Sequence, residues 1–232
     1  MRHSKVSIET PDGAMSTHRV GDPGDPAVIV LMAALGVDEN MLDIAGRLAD
    51  NGYFALIPDL YYRWGKGLTF DPATDRGRAV KMLTRITDRM VISDVGALLA
   101  TLDDRPVGAM GFCMGGRFVV RTMAAYPERI VACSALHPSY LFLEGNADSP
   151  HLDIARISGE LYVGFGEIDP VAPPRTWEVV RGEVRRHGIR AHIDIHPDAA
   201  HGFMLPNAGY QEAAAEASWT ATLKLLCGLR SP

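Results

Sequence analysis

A lone cysteine lies between glycines in the stretch "VGAMGFCMGGRFVV", residues 107–120. A short apolar run precedes Cys113 and a run with helical spacing follows it, so the thiol is predicted on a sharp turn from strand to helix. Gly111 and Gly115 would leave room for neighbouring backbone at such a turn. The helix start behind the sulfur favours the thiolate. The G-x-C-x-G pattern therefore predicts a thiol nucleophile suited to acyl transfer, with a buried, purely structural cysteine as the alternative.

Two later loops supply partners for this thiol. Asp169 follows the apolar run "ELYVGFG", and His201 lies shortly after the run "RAHIDIH". The carboxyl ends of parallel strands meet at one edge of a sheet, so these side chains are expected to converge on Cys113. The order Cys, Asp, His is that of nucleophile, acid and base in α/β-hydrolases. We predict that His201 handles the thiol proton and that Asp169 orients His201.

The other seven histidines lack this placement. His137, in "SALHPSY" after a strand, and His151 stay open as residues that could reach the site. For the remaining five a surface or packing role is predicted, and they are His3, His18, His187, His192 and His196.

The alternation of apolar strands and amphipathic helices predicts an α/β fold. We expect an α/β-hydrolase three-layer sandwich, with a mostly parallel, twisted sheet covered by helices on both faces, in a single domain over residues 1–232. Asp38 is the predicted N-cap of the first helix. Helical spacing from about Arg76 to Leu102 is predicted to break near Met90, and a final helix is expected from about Gly209 to Cys227.

Composition narrows the ligand classes. The 232 residues are 47% hydrophobic and 22% charged, with a formal net charge of −5. Since no basic surface is indicated, nucleic acid and membrane are not expected as partners, which leaves small molecules. Three separated cysteines without CxxC spacing, and the absence of a visible signal peptide or apolar span, predict a cytoplasmic protein. Neither a phosphate-binding loop nor an HExxH register is present, so we expect no cofactor and no metal ion.

With these motifs the chain resembles the dienelactone hydrolase family of α/β-hydrolases. The segments "PDLYYR", "GFCMGG", "GEIDPVAP" and "AAHGF" occur in the family order and spacing. The resemblance implies Cys113 as nucleophile, His201 as base and Asp169 as its carboxylate. It also implies an oxyanion hole formed by the backbone N–H groups of Met114 and Ala34.

Two features depart from the family pattern. Well-known members carry a glutamate after the third strand that holds the resting thiol, and this chain has Ala33 there. Glu39 follows close behind but falls in the next helix. Those members also bind the substrate carboxylate with a serine and an arginine just beyond the histidine, where this chain has Gly202 and Leu205. Half of the anion-binding site is therefore missing.

Five further residues are expected to contact the substrate. Arg76 aligns with another family arginine, although a solvated arginine at a helix start is an equal alternative. Four apolar or aromatic side chains could form a wall over the site, with packing beneath the loops as the alternative, and they are Tyr62, Trp64, Phe203 and Met204.

These observations together predict a hydrolase of a small carboxylic ester or lactone that works through a thioacyl-enzyme intermediate. The missing glutamate leaves a second hypothesis open, in which the protein is a catalytically silent binder of a small molecule or protein. A third is a redox-sensitive thiol protein, because an accessible low-pKa cysteine is easily oxidised.

Overall fold

The computed structural model describes residues 2–206 and 209–230, and the alternating sequence pattern appears there as alternating strands and helices. The strands are β1 (His3–Thr10), β2 (Gly13–Val20), β3 (Ala27–Leu31), β4 (Phe54–Pro58), β5 (Val107–Phe112), β6 (Ile130–Leu136), β7 (Glu160–Gly166) and β8 (Arg190–His196). The helices are α1 (Glu39–Asp50), α2 (Arg76–Leu83), α3 (Asp88–Leu99), α4 (Met114–Ala125), α5 (Pro174–His187) and α6 (Glu212–Leu226). Two 3₁₀ helices span Pro150–Arg156 and Cys227–Arg230.

The eight strands form one sheet in the order β1-β2-β4-β3-β5-β6-β7-β8. The pairs β1–β2 and β2–β4 are antiparallel, and every pair from β4–β3 to β7–β8 is parallel. Strands β3, β4 and β5 are apolar along their length and almost entirely buried, as expected for central strands covered on both faces.

Helices cover the sheet on both faces. On one side α1 lies against α6, where Arg47 pairs with Glu216 and stacks over the Trp219 ring at 4.4 Å. On the other side α4 packs against β5, β6 and α3. The predicted three-layer α/β-hydrolase architecture is therefore confirmed.

The strand order determines which loops meet. Strands β5, β6, β7 and β8 are consecutive parallel neighbours, with β3 on the other side of β5. The loops after β5, β7 and β8 carry Cys113, Asp169 and His201, and the loop after β6 lies between the first two. All of these loops leave the same edge of the sheet, so the side chains that they carry can meet there.

Local capping explains one success and one error of the sequence prediction. Asp38 caps α1 as predicted, accepting a hydrogen bond from the Met41 N–H at 3.1 Å. The break predicted near Met90 is wrong, because α2 ends at Leu83 and α3 begins at Asp88. Thr87 is the N-cap of α3 and its hydroxyl accepts from the Met90 N–H at 3.2 Å, which places Met90 in the first turn.

No helix in the described ranges is both long and apolar enough to cross a lipid bilayer.

Candidate active site

Cys113 lies on a strained turn between β5 and α4. Its backbone has φ 55° and ψ −114°, which is unusual for a residue with a side chain. The predicted role of the glycines is confirmed by the packing. A Cβ atom at Gly115 would lie 2.2 Å from the Leu31 carbonyl oxygen, and one at Gly111 would lie 2.2 Å from the Gly115 oxygen. The two glycines therefore let β3, β5 and α4 approach closely enough to form the turn.

Asp169 and His201 form the second part of the site. Asp169 Oδ2 lies 2.8 Å from His201 Nδ1, and its Oδ1 accepts from the Val171 N–H at 2.8 Å. The Asp169 side chain is fully buried, while His201 is partly accessible. An ionised carboxylate only accepts hydrogen bonds, so Nδ1 carries a proton and the ring presents Nε2 to the rest of the site.

The Cys113 thiol lies among several hydrogen-bonding groups. Burial by itself would raise the pKa of this thiol, but hydrogen bonding to His201 and the charge of His201 lower it, helped by Ser139 and by the Met114 N–H. The net result is a pKa below the ordinary value. For His201, burial opposes the charged form, but the bond to Asp169 and the contact with Cys113 outweigh it and raise the pKa to about 10.

The loop after β3 brings backbone groups to the same place. The Ala33 carbonyl accepts from the Gly36 N–H at 3.1 Å, and the Ala34 carbonyl accepts from the Tyr61 hydroxyl at 3.0 Å. Because a trans peptide directs its N–H opposite to its C=O, the first bond turns the Ala34 N–H away from the tight turn. Ala33 and Ala34 both line the cavity in front of Cys113.

That cavity has a volume of about 500 Å³. Its described lining consists mainly of apolar side chains from the loops and from α2, and contains no carboxylate. The apolar members include Leu35, Ala79, Val80, Leu83, Val171 and Leu205. Arg76 lies at the rim, exposed to solvent and without an ion pair to any described residue.

Tyr62 and Trp64, predicted to cover the site, do not line this cavity in the described part of the chain. The Tyr62 hydroxyl donates to Asp94 Oδ1 at 2.9 Å and lies 2.5 Å from the Thr10 hydroxyl. Trp64 packs edge-on against Tyr61 with 6.4 Å between ring centroids. Their polar and aromatic partners therefore hold both half-buried side chains away from the cavity.

Phe203 and Met204 are also placed elsewhere by the structure. Phe203 is fully buried, with its ring 5.3 Å from His137 and 5.0 Å from His196 between centroids. Met204 is buried too. The chain turns inward directly after His201, because its apolar residues pack into the core, and of residues 202–206 only Gly202 and Leu205 face the cavity.

The two histidines that the sequence left open have different surroundings. His137 lines the cavity and is fully buried against the His201 ring, with 5.2 Å between the centroids. Burial, followed by the charge of His201, holds its pKa well below the ordinary value, so its ring is neutral. His151 instead hydrogen-bonds the Ser149 hydroxyl at 2.7 Å, outside the cavity lining.

Ser139 is a residue of this site that the sequence reasoning missed. Its hydroxyl lies 3.1 Å from Cys113 Sγ and 3.4 Å from His201 Nε2. The only available signal was its position in "SALHPSY" after a strand, the same signal that left His137 open.

Across residues 2–206 and 209–230, no group of three or more His, Cys, Asp or Glu side chains is arranged to hold a metal ion.

Comparison with known proteins identifies the family. The family model described as "Dienelactone hydrolase family" matches residues 15–228. The chain belongs to the dienelactone hydrolase family.

Relatives of this dienelactone hydrolase family member agree with the assignment. A Salmonella typhimurium protein named "Putative carboxymethylenebutenolidase" is 30% identical, covering 94% of this chain and 89% of its own length. The carboxymethylenebutenolidase of Rhodococcus opacus is 36% identical over half of this chain and 45% of its own. Among solved structures, a "Putative Dienelactone Hydrolase" from Klebsiella pneumoniae superposes with a TM-score of 0.85 at 26% identity, covering 97% and 98% of the two chains. The protein is thus a dienelactone hydrolase-like hydrolase.

The departures from the family pattern lie at the cavity itself. Ala33 faces it where well-known members have a glutamate, and Glu39 is exposed at the start of α1 and is not among the described lining residues. Gly202 and Leu205 face it where those members have a serine and an arginine. Nothing acidic in the described lining replaces the missing glutamate.

Proposed function

We propose that this dienelactone hydrolase family member cleaves a small carboxylic ester or lactone with Cys113 as its nucleophile. The observation that carries the proposal is the 2.8 Å contact from Asp169 to His201 Nδ1, which leaves Nε2 to serve the thiol on the strained turn. A buried carboxylate, an oriented imidazole and a thiol of lowered pKa are the parts that covalent acyl transfer needs. A catalytically silent protein that only binds a ligand does not require these three groups in this arrangement.

The reaction would proceed in two halves. The Cys113 thiolate attacks the carbonyl carbon, and the carbonyl electron pair moves onto oxygen. When the tetrahedral intermediate collapses, the leaving alkoxide takes the Nε2 proton of His201 and a thioester remains. Water then attacks the thioester and gives a proton to Nε2, the carbon–sulfur bond breaks, and the carboxylic acid leaves as the thiolate–imidazolium pair forms again.

The negative oxygen of both intermediates would be stabilised by the backbone N–H groups of Met114 and Ala34. The first begins helix α4 and already points at the sulfur, where it favours the thiolate. The second belongs to the peptide whose carbonyl is held by Gly36. Backbone donors held in position in this way are usually the largest contribution to acyl-transfer catalysis.

A panel of esters and lactones, assayed with wild type and Cys113→Ser, tests the proposal. The acyl-enzyme is sought by intact mass during turnover. Wild type should show a mass increase equal to the acyl group, and peptide mapping should place it on Cys113. An acyl adduct on another residue would refute the assignment.

The cavity predicts a preference for uncharged substrates. Its walls are mainly apolar, and Arg76 is the one arginine or lysine in its described lining, at an exposed rim where its field is screened. We expect kcat/KM for neutral esters or lactones to exceed that for anionic analogues of equal size by about tenfold or more, since a carboxylate would lose hydration without a matched partner. Steady-state kinetics on matched pairs measures this.

Arg76→Ala is the matched control for that comparison. It should lower kcat/KM only for the anionic member of each pair. A faster reaction with the anionic member in the wild type would contradict the prediction.

The lowered pKa of Cys113 predicts unusual reactivity of the resting enzyme. Alkylation requires the thiolate, so its rate should rise as the pH passes through the lowered pKa of Cys113 and level off below about 8.5, the value of a free cysteine. Over this range His201, whose pKa is raised to about 10, stays protonated. Iodoacetamide modification read by mass spectrometry gives the profile.

Two variants at one position show whether the missing carboxylate matters. Ala33→Glu would place a negative charge at the cavity and move the profile to higher pH, whereas Ala33→Gln, of nearly equal size and uncharged, should leave it in place. Equal profiles for both variants would show that charge at position 33 has no influence on the thiol.

A further inference from the structure

The loop after β6 holds Ser139 in a strained turn. His137 and Tyr140, on either side of it, have φ values of 36° and 54°, which residues other than glycine rarely adopt. Backbone bonds fix both ends. The His137 N–H donates to the Gly164 carbonyl at 2.8 Å, and the Ser139 N–H donates to the Cys113 carbonyl at 2.9 Å. The Ser139 side chain is therefore locked against the nucleophile turn.

The Ser139 hydroxyl bridges the two reacting groups. Its oxygen lies 3.1 Å from Cys113 Sγ and 3.4 Å from His201 Nε2, and the residue is almost fully buried. A hydroxyl has one proton to donate and lone pairs to accept. It can therefore accept from a protonated Nε2 while it donates to an anionic sulfur.

The alternative proton arrangement is weaker. If the thiol is neutral, the hydroxyl must accept from S–H, which is a poor donor. With the sulfur ionised the hydroxyl donates to a full negative charge, and such bonds are roughly twice as strong as neutral ones. The geometry thus favours the charged pair over the neutral one.

We propose that Ser139 is a positioning residue of the site, whose hydroxyl stabilises the resting Cys113 thiolate and keeps it aligned with His201. The inference rests on the proposed role of Cys113 as nucleophile.

Several other groups face the sulfur, and each acts differently. From the loop after β8, His201 supplies positive charge, with Asp169 behind it on the loop after β7. From the loop after β4, the Tyr61 hydroxyl is engaged with the Ala34 carbonyl. The remaining titratable groups in the described cavity lining are His137, which is neutral and buried, the exposed Tyr140, and Arg76 at the cavity rim. Among the described residues, Ser139 alone places a hydroxyl at hydrogen-bond distance from Sγ.

Ser139→Ala tests the proposal through the pH dependence of Cys113 alkylation by iodoacetamide, followed by intact mass. Loss of one hydrogen bond to the charged sulfur should move the midpoint up by about one pH unit, so that alkylation below the midpoint becomes about tenfold slower. Ser139→Thr, which keeps the hydroxyl, should restore the wild-type midpoint. The pH profile of kcat/KM should move in the same direction in the alanine variant.

Ser134→Ala is the matched control. This serine is buried on β6 and bonded to the Thr222 hydroxyl at 2.6 Å, away from the cavity lining. The Ser134→Ala variant loses a comparable hydrogen bond, and the midpoint of its Cys113 alkylation should match that of the wild type. If Ser139→Ala fails to fold, as judged by circular dichroism, Ser139→Gly and Ser139→Thr provide the same comparison without and with the hydroxyl.

The possible outcomes distinguish an error in the role of Ser139 from an error in the proposed function. A wild-type midpoint well below 8.5 together with an unchanged midpoint in the hydroxyl-free variant overturns the role of Ser139 and leaves the proposed function intact. An equal shift in Ser139→Thr and Ser139→Ala also overturns it. A wild-type alkylation midpoint near 8.5 would show that Cys113 has no resting thiolate and would overturn the inference. Detection of the acyl-enzyme would still test the proposed function.

Discussion

Replacing Cys113 by alanine should lower kcat/KM by about 10³-fold or more for every ester that the wild type cleaves, because the thiol proposed to form the acyl-enzyme is then missing. His201→Ala should cause a loss of the same size, since the thiolate then lacks its counter-charge and the leaving group lacks its acid. The fold should persist in both variants. Steady-state kinetics with a thermal unfolding measurement on each variant checks this.

Cys227→Ala is the control for the cysteine substitution. Cys227 is exposed at the start of the last 3₁₀ helix, so its loss should leave kcat/KM unchanged. Asp169→Asn should be as severe as His201→Ala or milder, because Asp169 acts by orienting His201. If Cys113→Ala keeps most of the wild-type turnover on any ester, the nucleophile has been assigned to the wrong residue.

Asp94→Ala is expected to destabilise the fold by about 3 kcal/mol or more. The Asp94 side chain is fully buried and accepts two hydrogen bonds from Arg63, at 2.7 and 2.8 Å, and one from the Tyr62 hydroxyl. Its removal leaves a buried guanidinium and a tyrosine hydroxyl without these partners. Urea unfolding followed by circular dichroism measures the change in the free energy of unfolding.

Asp12→Ala provides the comparison, because Asp12 binds the same guanidinium at 2.7 Å from an exposed position. Its loss should cost at most about 1 kcal/mol. If Asp94→Ala lowers the free energy of unfolding by less than about 1 kcal/mol, the Arg63–Asp94 pair does not hold the loop after β4.

The convergence of Cys113, Asp169 and His201 on one edge of the sheet could be predicted before any coordinates, and the physical reason is topological. Each follows a segment predicted as a strand, and parallel strands bring their carboxyl ends to one edge. The glycines around Cys113 further marked the strained turn, since only glycine allows the close backbone contacts at positions 111 and 115. The α/β layering followed from the same alternation of strands and helices.

Other features depended on packing that no spacing encodes. A serine in a loop carries no periodic signal. The role of Ser139 depends on the pairing of β6 with β5, which brings the loop after β6 into contact with Cys113. The direction of Tyr62 was decided by Asp94, 32 residues away along the chain, and that of Phe203 by the rings of His137 and His196. Sequence alone determined that Cys113, Asp169 and His201 reach the same edge of the sheet. The tertiary structure decided which side chains face the cavity. An aromatic side chain in a loop near the site can pack toward the cavity or away from it, and the outcome depends on contacts with residues far away in the sequence.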